Sequence, residues 1–275
     1  MTADALVSPT RVLALLRKES QDLLRSRAAV LPGLMTLLAL AVPFVIAIGV
    51  PIITGEPLSS DDDVKKGLDL ARHYWPDAAS LSGEALVQAF FFQQFLMMVL
   101  LVPVTGSMAL AAHSIIGEKQ ARTLEPLLAT PLTTADLLVT KVLAALLPAL
   151  VMEAVATGLY FAGMVLLGER GVAAALATPR TALLLFVLGP LFTFIALLVV
   201  VIASSRTNDA RGAQQFGTFV VIPIVAVMIA QGTGAFWLTV PVVLAAAGAL
   251  AVIAVVLLWF GVAIFERERI LTRWK

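Results

Sequence analysis

The 275-residue chain contains no cysteine and only two histidines, and only 13% of its residues carry a charge. Without cysteine, the protein has no disulfide scaffold, no thiolate zinc or iron–sulfur site and no thiol nucleophile. Soluble domains have about 25% charged residues, whereas 60% of this chain is hydrophobic. The composition excludes an ordinary soluble protein and indicates that lipid surrounds most of its side chains.

The sequence also lacks the motifs of common hydrolases. It has no GxxxxGK[ST] segment, the loop that cradles nucleotide phosphates, so this chain cannot hydrolyse ATP by that route. A six-span intramembrane serine protease needs a histidine on a late helix to act as the base, and no histidine follows His113. We therefore expect a protein that is not an enzyme, with no catalytic residue, no bound metal or cofactor and no nucleic-acid partner.

Six apolar segments are each long enough to cross a bilayer as a helix, which takes about 20 residues. They run over residues 28–53, 85–112, 137–167, 181–203, 214–230 and 238–265. The first is preceded by charged residues without a cleavage-site pattern, so we expect it to be retained as a span. The sequence predicts an all-α polytopic membrane protein with six transmembrane helices, in which a single domain covers residues 1–275.

The basic residues are divided unequally between the two sides of these spans. Because the number of spans is even, both termini lie on the same side of the membrane. Only five of the 19 lysines and arginines fall on the other side: Lys65, Lys66, Arg72, Arg170 and Arg180. Basic residues concentrate in cytoplasmic loops. Both termini are therefore expected in the cytoplasm.

The segment before the first span, residues 9–26, has the pattern of an amphipathic helix. Its apolar and polar faces are separated at helical spacing: Val12, Leu13, Leu16, Leu23 and Leu24 against Lys18, Gln21, Asp22 and Arg25. A helix of this kind, with basic residues on its polar face, lies in the cytoplasmic membrane interface.

The loop after the first span, residues 54–84, is acidic and is expected to be external. Within it Val64, Leu68, Ala71 and Trp75 share a helical face, which predicts a short helix resting on the membrane domain. Asp61, Asp62 and Asp63 precede that helix, where negative charge favours a helix N-terminus. A cation site at these aspartates is the alternative, although they lack a known ligand pattern.

The segment 117–131, between the second and third spans, has the pattern of a short cytoplasmic helix. Thr123 can cap such a helix, and a proline ends it after about two turns. Leu124, Leu127 and Leu128 share one face at spacings of three and four. Charged side chains surround that face: Glu118, Lys119, Arg122 and Glu125. An apolar helix face ringed by charge is suited to a groove on a partner protein.

This segment resembles the corresponding part of the type-2 ATP-binding-cassette (ABC) permeases, the membrane subunits of many ABC exporters. The shared pattern is a charged pair, Thr-Leu-Glu, a leucine pair, Thr-Pro and a lysine in the next span: Glu118-Lys119, Thr123-Leu124-Glu125, Leu127-Leu128, Thr130-Pro131 and Lys141. Arg122 and Thr140 stand where many members have glycine. Residues 205–215 and 265–271 are similar to the subgroup that includes sodium-extruding ABC permeases.

The resemblance implies a permease subunit of an ATP-driven exporter in a prokaryotic cytoplasmic (inner) membrane. It implies that segment 117–131 is a coupling helix docked in a separate ABC ATPase subunit, which would bind the ATP and magnesium that this chain does not. It also implies a second permease chain, identical or different, as a further partner within the lipid bilayer.

Glu153 is the one carboxylate deep within a predicted span, and Thr157 and Tyr160 continue its helix face. An ionisable group at that depth is costly and normally faces the protein interior or water. Two interpretations stay open: a polar element of the translocation path, or an interhelical hydrogen bond made by a protonated carboxyl. An alternative function is an ion-coupled secondary transporter or channel that uses Glu153, but such a protein has no evident need for the leucine face of segment 117–131.

Overall fold

The computed structural model describes residues 34–62, 64–65, 67–69, 75, 80–120, 134–207, 209–233 and 237–264. These residues are almost entirely helical and contain no strand. The interfacial helix predicted at 9–26, the C-terminal residues from 265 onward and residues 121–131 of the predicted coupling segment lie outside the described part.

Six helices in the described residues are long and apolar enough to cross a membrane, as the sequence predicts. We name them α1 to α6 in chain order: Leu34–Thr54, Gly83–Gln120, Thr134–Leu167, Pro179–Arg206, Ala210–Gly232 and Val240–Ile264. A short 3-10 helix, Leu58–Ser60, follows α1, and a short α-helix, Val172–Leu176, joins α3 to α4. The all-α, six-span prediction is confirmed.

Two of these helices are longer than the membrane requires. Helix α2 has 38 residues and α3 has 34, so each measures about 50 Å or more at 1.5 Å per residue, against about 30 Å of hydrocarbon. Their excess length includes the polar residues at the end of α2 and the start of α3. Both helices are therefore long enough to project from the bilayer toward the segment that joins them.

Helix α2 is the centre of the bundle. In the most apolar 18-residue stretch of α2, 78% of the residues are buried, against 17% in the corresponding stretches of α1 and α6. It packs against α3, α4 and α5. At Gly217 of α5, an added Cβ would overlap Met108 Sδ of α2 and lie 2.8 Å from Val200 Cγ2 of α4, so glycine allows these three helices to approach closely. The peripheral helices present their apolar faces outward, as lipid contact requires.

The connection from α1 to α2 packs onto the bundle, as the apolar face of the predicted loop helix indicates. Leu68 and Trp75 are buried, and Gly67 lies so close to Phe90 of α2 that a Cβ would approach its ring to 2.8 Å. Asp61 acts as a cap, because its Oδ1 accepts a hydrogen bond of 3.3 Å from the backbone N–H of Val64. This observation supports the capping interpretation for Asp61.

Its neighbour Asp62 forms an exposed ion pair. Lys65 Nζ donates a 2.9 Å hydrogen bond to Asp62 Oδ1. That hydrogen bond, and secondly the charge of Lys65, lower the pKa of Asp62 from its ordinary value. The lowered pKa keeps the carboxylate ionised at the start of the loop helix, where its charge is favourable.

Candidate functional site

The polar face of α3 contains the three residues predicted for the translocation path. Glu153, Thr157 and Tyr160 follow one another at spacings of four and three, so they lie on one side of the helix. Glu153 is only 3% exposed and Tyr160 only 1%, while Thr157 is half-buried. Val155 and Leu159, which lie between them in sequence, are exposed on the opposite side. The polar face of α3 therefore points into the bundle, and the apolar face points out.

Helix α4 makes room for the carboxyl group of Glu153. That group lies directly against Gly189, where an added Cβ would overlap Oε1 and lie 2.9 Å from Cδ. Sequence reasoning missed Gly189. A signal was present, since the pair Gly189-Pro190 stands inside an apolar span, where either residue weakens a helix.

The backbone of α4 is irregular at the same place. Residues Leu184–Leu188 form a π-helical turn in which the N–H of Gly189 donates to the carbonyl of Leu184. The next residue, Pro190, has no N–H. The Gly189 N–H, which a regular α-helix would direct to the Leu185 carbonyl, is thus directed to Leu184, and Pro190 offers no N–H in its place. Turns of this kind are frequent at functional sites.

Two oxygens of this site have no hydrogen-bond partner among the described residues. They are Glu153 Oε1 and Thr157 Oγ1, and both are buried. An unpartnered buried polar atom costs about 1–3 kcal/mol, so the arrangement is stabilised when a donor group, a water molecule or a proton reaches it. The site is lined by oxygen atoms, and it can accept hydrogen bonds or a positive charge.

Tyr160 has a different environment from its two neighbours. Its hydroxyl donates a 2.8 Å hydrogen bond to the backbone carbonyl of Phe92 in α2. Its ring lies edge-on to the rings of Phe44 and Phe92, with centroids 5.6 and 6.0 Å away. Tyr160 thus fastens α3 to α2 and α1, and borders the oxygen-lined site with an aromatic cluster.

A second buried polar contact lies at the other end of α3. Lys141 is 1% exposed, and its Nζ donates to Ser114 of α2, at 3.0 Å to Oγ and 3.3 Å to the backbone carbonyl. Ser114 and Lys141 stand on either side of the predicted coupling segment. They join the two helices that lead into and out of it.

The predicted coupling residues are only partly described. Glu118 and Lys119 belong to the last turn of α2, which continues to Gln120. The other six predicted residues lie outside the described part: Arg122, Thr123, Leu124, Glu125, Leu127 and Leu128.

At the opposite end of the bundle, the structure brings together polar residues that the sequence did not group. Arg180 at the start of α4 is buried, and so are Gln93 and Gln94 of α2 and Gln231 of α5. The sequence identifies Arg180 only as one of the five basic residues on the predicted external side. The signal that could have found this cluster is the run of amides within apolar segments, where uncharged polar side chains require partners.

Six membrane-spanning helices, with a carboxyl group buried where α3 contacts α4, define a polytopic membrane protein with polar groups in its interior, the class to which many transport proteins belong. Comparison with known families identifies it further. The chain belongs to the ABC-2 family of transporter proteins, since that family's model matches residues 13–243. No curated protein matches the chain. The match is to the family, and the sodium-extruding subgroup stays a prediction.

Membership in this family makes the chain the membrane permease component of an ABC transporter. Such a permease works with an ABC ATPase subunit in general. The multiple spans place the chain in a membrane.

Proposed function

We propose that this permease forms the translocation path of an ATP-driven exporter and is coupled to its ATPase through segment 117–131. The observation that carries the proposal is the combination of the family match with the length of α2 and α3, which is enough to extend beyond a bilayer toward this segment. The contact of Lys141 with Ser114 supports it, because it ties both helices together next to the segment. A force applied to the coupling helix would then reach α2 and α3 jointly.

The coupling residues in this proposal are the three leucines of the apolar face, the charged residues around it and the capping threonine: Glu118, Lys119, Arg122, Thr123, Leu124, Glu125, Leu127 and Leu128. ATP and magnesium bind to the ATPase subunit. A second permease chain, the same or a different one, completes the path. The protein lies in a prokaryotic cytoplasmic membrane with both termini inside.

The path includes Glu153 and Thr157, with Tyr160 at its border. Support comes from the two buried oxygens without partners and from the irregular backbone opposite them. These two oxygens can accept hydrogen bonds from a passing group, and the bonds exchange readily because no protein partner has to be displaced.

The coupling proposal is tested by replacing Leu127 and Leu128 together with serine. Each buried leucine contributes about 1.5–3 kcal/mol to an apolar contact, so the pair should weaken ATPase binding by well over tenfold. The measurement is the amount of ATPase that co-purifies with the permease, together with ATP-dependent transport in vesicles. Both should fall.

A matched control is a leucine pair that is exposed in the described residues, Leu166 and Leu167 at the end of α3. Changing this pair to serine should leave ATPase binding intact. Undiminished binding in the Leu127 and Leu128 variant would contradict the coupling helix. Transport that persists without any ATPase would favour the ion-coupled carrier instead.

A further inference from the structure

Arg180 is a buried cation that joins several elements at the predicted external end of the bundle. It is 8% exposed. One guanidinium nitrogen donates a 2.7 Å hydrogen bond to Gln93 Oε1 of α2, and another donates at 3.3 Å to the backbone carbonyl of Leu238, just before α6. The guanidinium group thus connects the start of α4 to α2 and to the entry of α6.

Two indole rings lie next to the same guanidinium. Its carbon lies 5.8 Å from the ring centre of Trp75 and 5.7 Å from that of Trp237, both within the range of a cation–π contact. Trp75 belongs to the connection between α1 and α2. The connection is therefore held to the same point as the three helices, and both indoles are buried.

A second contact next to this one includes α5. Gln94 Nε2 donates a 2.8 Å hydrogen bond to the backbone carbonyl of Gln231 at the end of α5. Four buried atoms nearby have no hydrogen-bond partner in the described part of the chain: Gln94 Oε1, Gln231 Oε1, Gln231 Nε2 and Trp75 Nε1. Unpartnered polar atoms raise the free energy of this closed arrangement, and water would relieve it.

We propose that Arg180 is a positioning residue that latches the predicted external ends of α2, α4 and α6 to Trp75 and Trp237, and that this latch opens when substrate leaves. The inference rests on the proposed export function. A permanent joint would be more stable if it were apolar, since a buried charge must give up its hydration. A guanidinium contact suits a joint that opens, because water can replace each of its hydrogen bonds and can reach the unpartnered amides.

The test uses the absence of cysteine from the chain. Cysteines introduced at Ser82, just before α2, and at Thr239, just before α6, would be the only thiols, and both positions are exposed. Spin labels at these cysteines report the distance between the two helix ends in lipid nanodiscs without ATPase or substrate. The variant is Arg180→Gln, and the matched control is Arg170→Gln, which removes an exposed arginine at the same end.

The unaltered chain and Arg170→Gln should each give one short distance. Arg180→Gln should add a longer distance in more than about a tenth of the molecules, the upper range for a minor state. An unchanged distance distribution in Arg180→Gln would overturn the latch. If that variant does not fold, Gln93→Met removes one acceptor at similar volume and should give the same shift at a smaller population; an unchanged distribution there would equally overturn it.

The distance measurement requires neither ATPase nor transport, so its result tests the latch independently of the proposed function. In the complete transporter, Arg180→Gln should keep the ATPase bound but lower ATP-dependent transport. Loss of ATPase binding in this variant would contradict a role confined to the external end.

Discussion

At the scale of single residues, Gly189 leaves the space that the Glu153 carboxyl group occupies. A carboxyl group 3% exposed in the middle of a span needs space, and the missing side chain of Gly189 supplies it. The dihedral angles of Gly189 are helical, with φ −54° and ψ −56°. Its backbone conformation therefore does not require glycine, and the neighbouring carboxyl is the reason for it.

We predict that Gly189→Ala is unfavourable only while Glu153 is present. The new Cβ must displace the carboxyl, which should lower stability by about 1–3 kcal/mol, the usual cost of overpacking. In a Glu153→Ala background the same change should be neutral or stabilising by up to about 1 kcal/mol, because alanine favours a helix. The measurement is the thermal unfolding midpoint of the four chains of this double-mutant cycle.

Transport of the same four chains tests the path. Glu153→Ala and Gly189→Ala should each lower it, since one removes the carboxyl and the other moves it. Additive effects of the two changes on stability would show that the residues do not interact. Full transport by Glu153→Ala at matched expression would remove the carboxyl from the path.

This pair also shows what a sequence can predict of a membrane site. Hydropathy places Glu153 at depth, and helical spacing adds Thr157 and Tyr160, because both depend on neighbours in the chain. The residue facing Glu153 depends on how α3 and α4 rotate against each other, and no local pattern contains that. For the same reason the sequence does not predict the contact of Arg180 with Gln93, whose side chains form a 2.7 Å hydrogen bond.

At the scale of elements, the length of the apolar runs was enough to predict all six helices, because the bilayer demands about 20 residues of each. Boundaries were harder. Helix α5 begins at Ala210 rather than 214, since the Asp209 side chain accepts hydrogen bonds from the N–H groups of Arg211 and Gly212. The π-helical turn in α4 was not predicted, because it depends on backbone hydrogen bonding that hydropathy does not register.

Helix packing should distinguish two glycines in equivalent secondary structure. Gly217 of α5 contacts Met108 and Val200, whereas Gly248 of α6 is exposed with open space around it. Gly217→Ala should lower stability by about 1–3 kcal/mol through overpacking, because the β-branched Val200 cannot easily rotate away. Gly248→Ala should raise stability by about 0.5–1 kcal/mol through helix propensity.

Thermal unfolding of the two variants in the same detergent gives the comparison. The prediction is a lower midpoint for Gly217→Ala and an equal or higher one for Gly248→Ala. The reverse order would mean that α5 does not lie against α2 and α4 as closely as these contacts indicate.

At the scale of the whole molecule, the distribution of the scarce charges predicts the orientation. The connection between α1 and α2, the start of α4 and the connection between α5 and α6 meet at one end, as the contacts of Trp75, Arg180 and Trp237 show. Three of the five basic residues in the minority, Lys65, Arg170 and Arg180, are described and belong to these connections or to the start of α4. The rule that basic residues remain in the cytoplasm predicts that this end is external.

Single cysteines in the cysteine-free chain can decide the orientation. Four accessible positions serve, two at each end: Glu169 and Thr233 at the predicted external end, Gly117 and Thr207 at the other. In intact cells a membrane-impermeant maleimide should label Glu169→Cys and Thr233→Cys. It should label Gly117→Cys and Thr207→Cys only after the membrane is permeabilised. The reverse pattern would place segment 117–131 outside the cell, out of reach of a cytoplasmic ATPase, and the coupling proposal would fail together with the orientation.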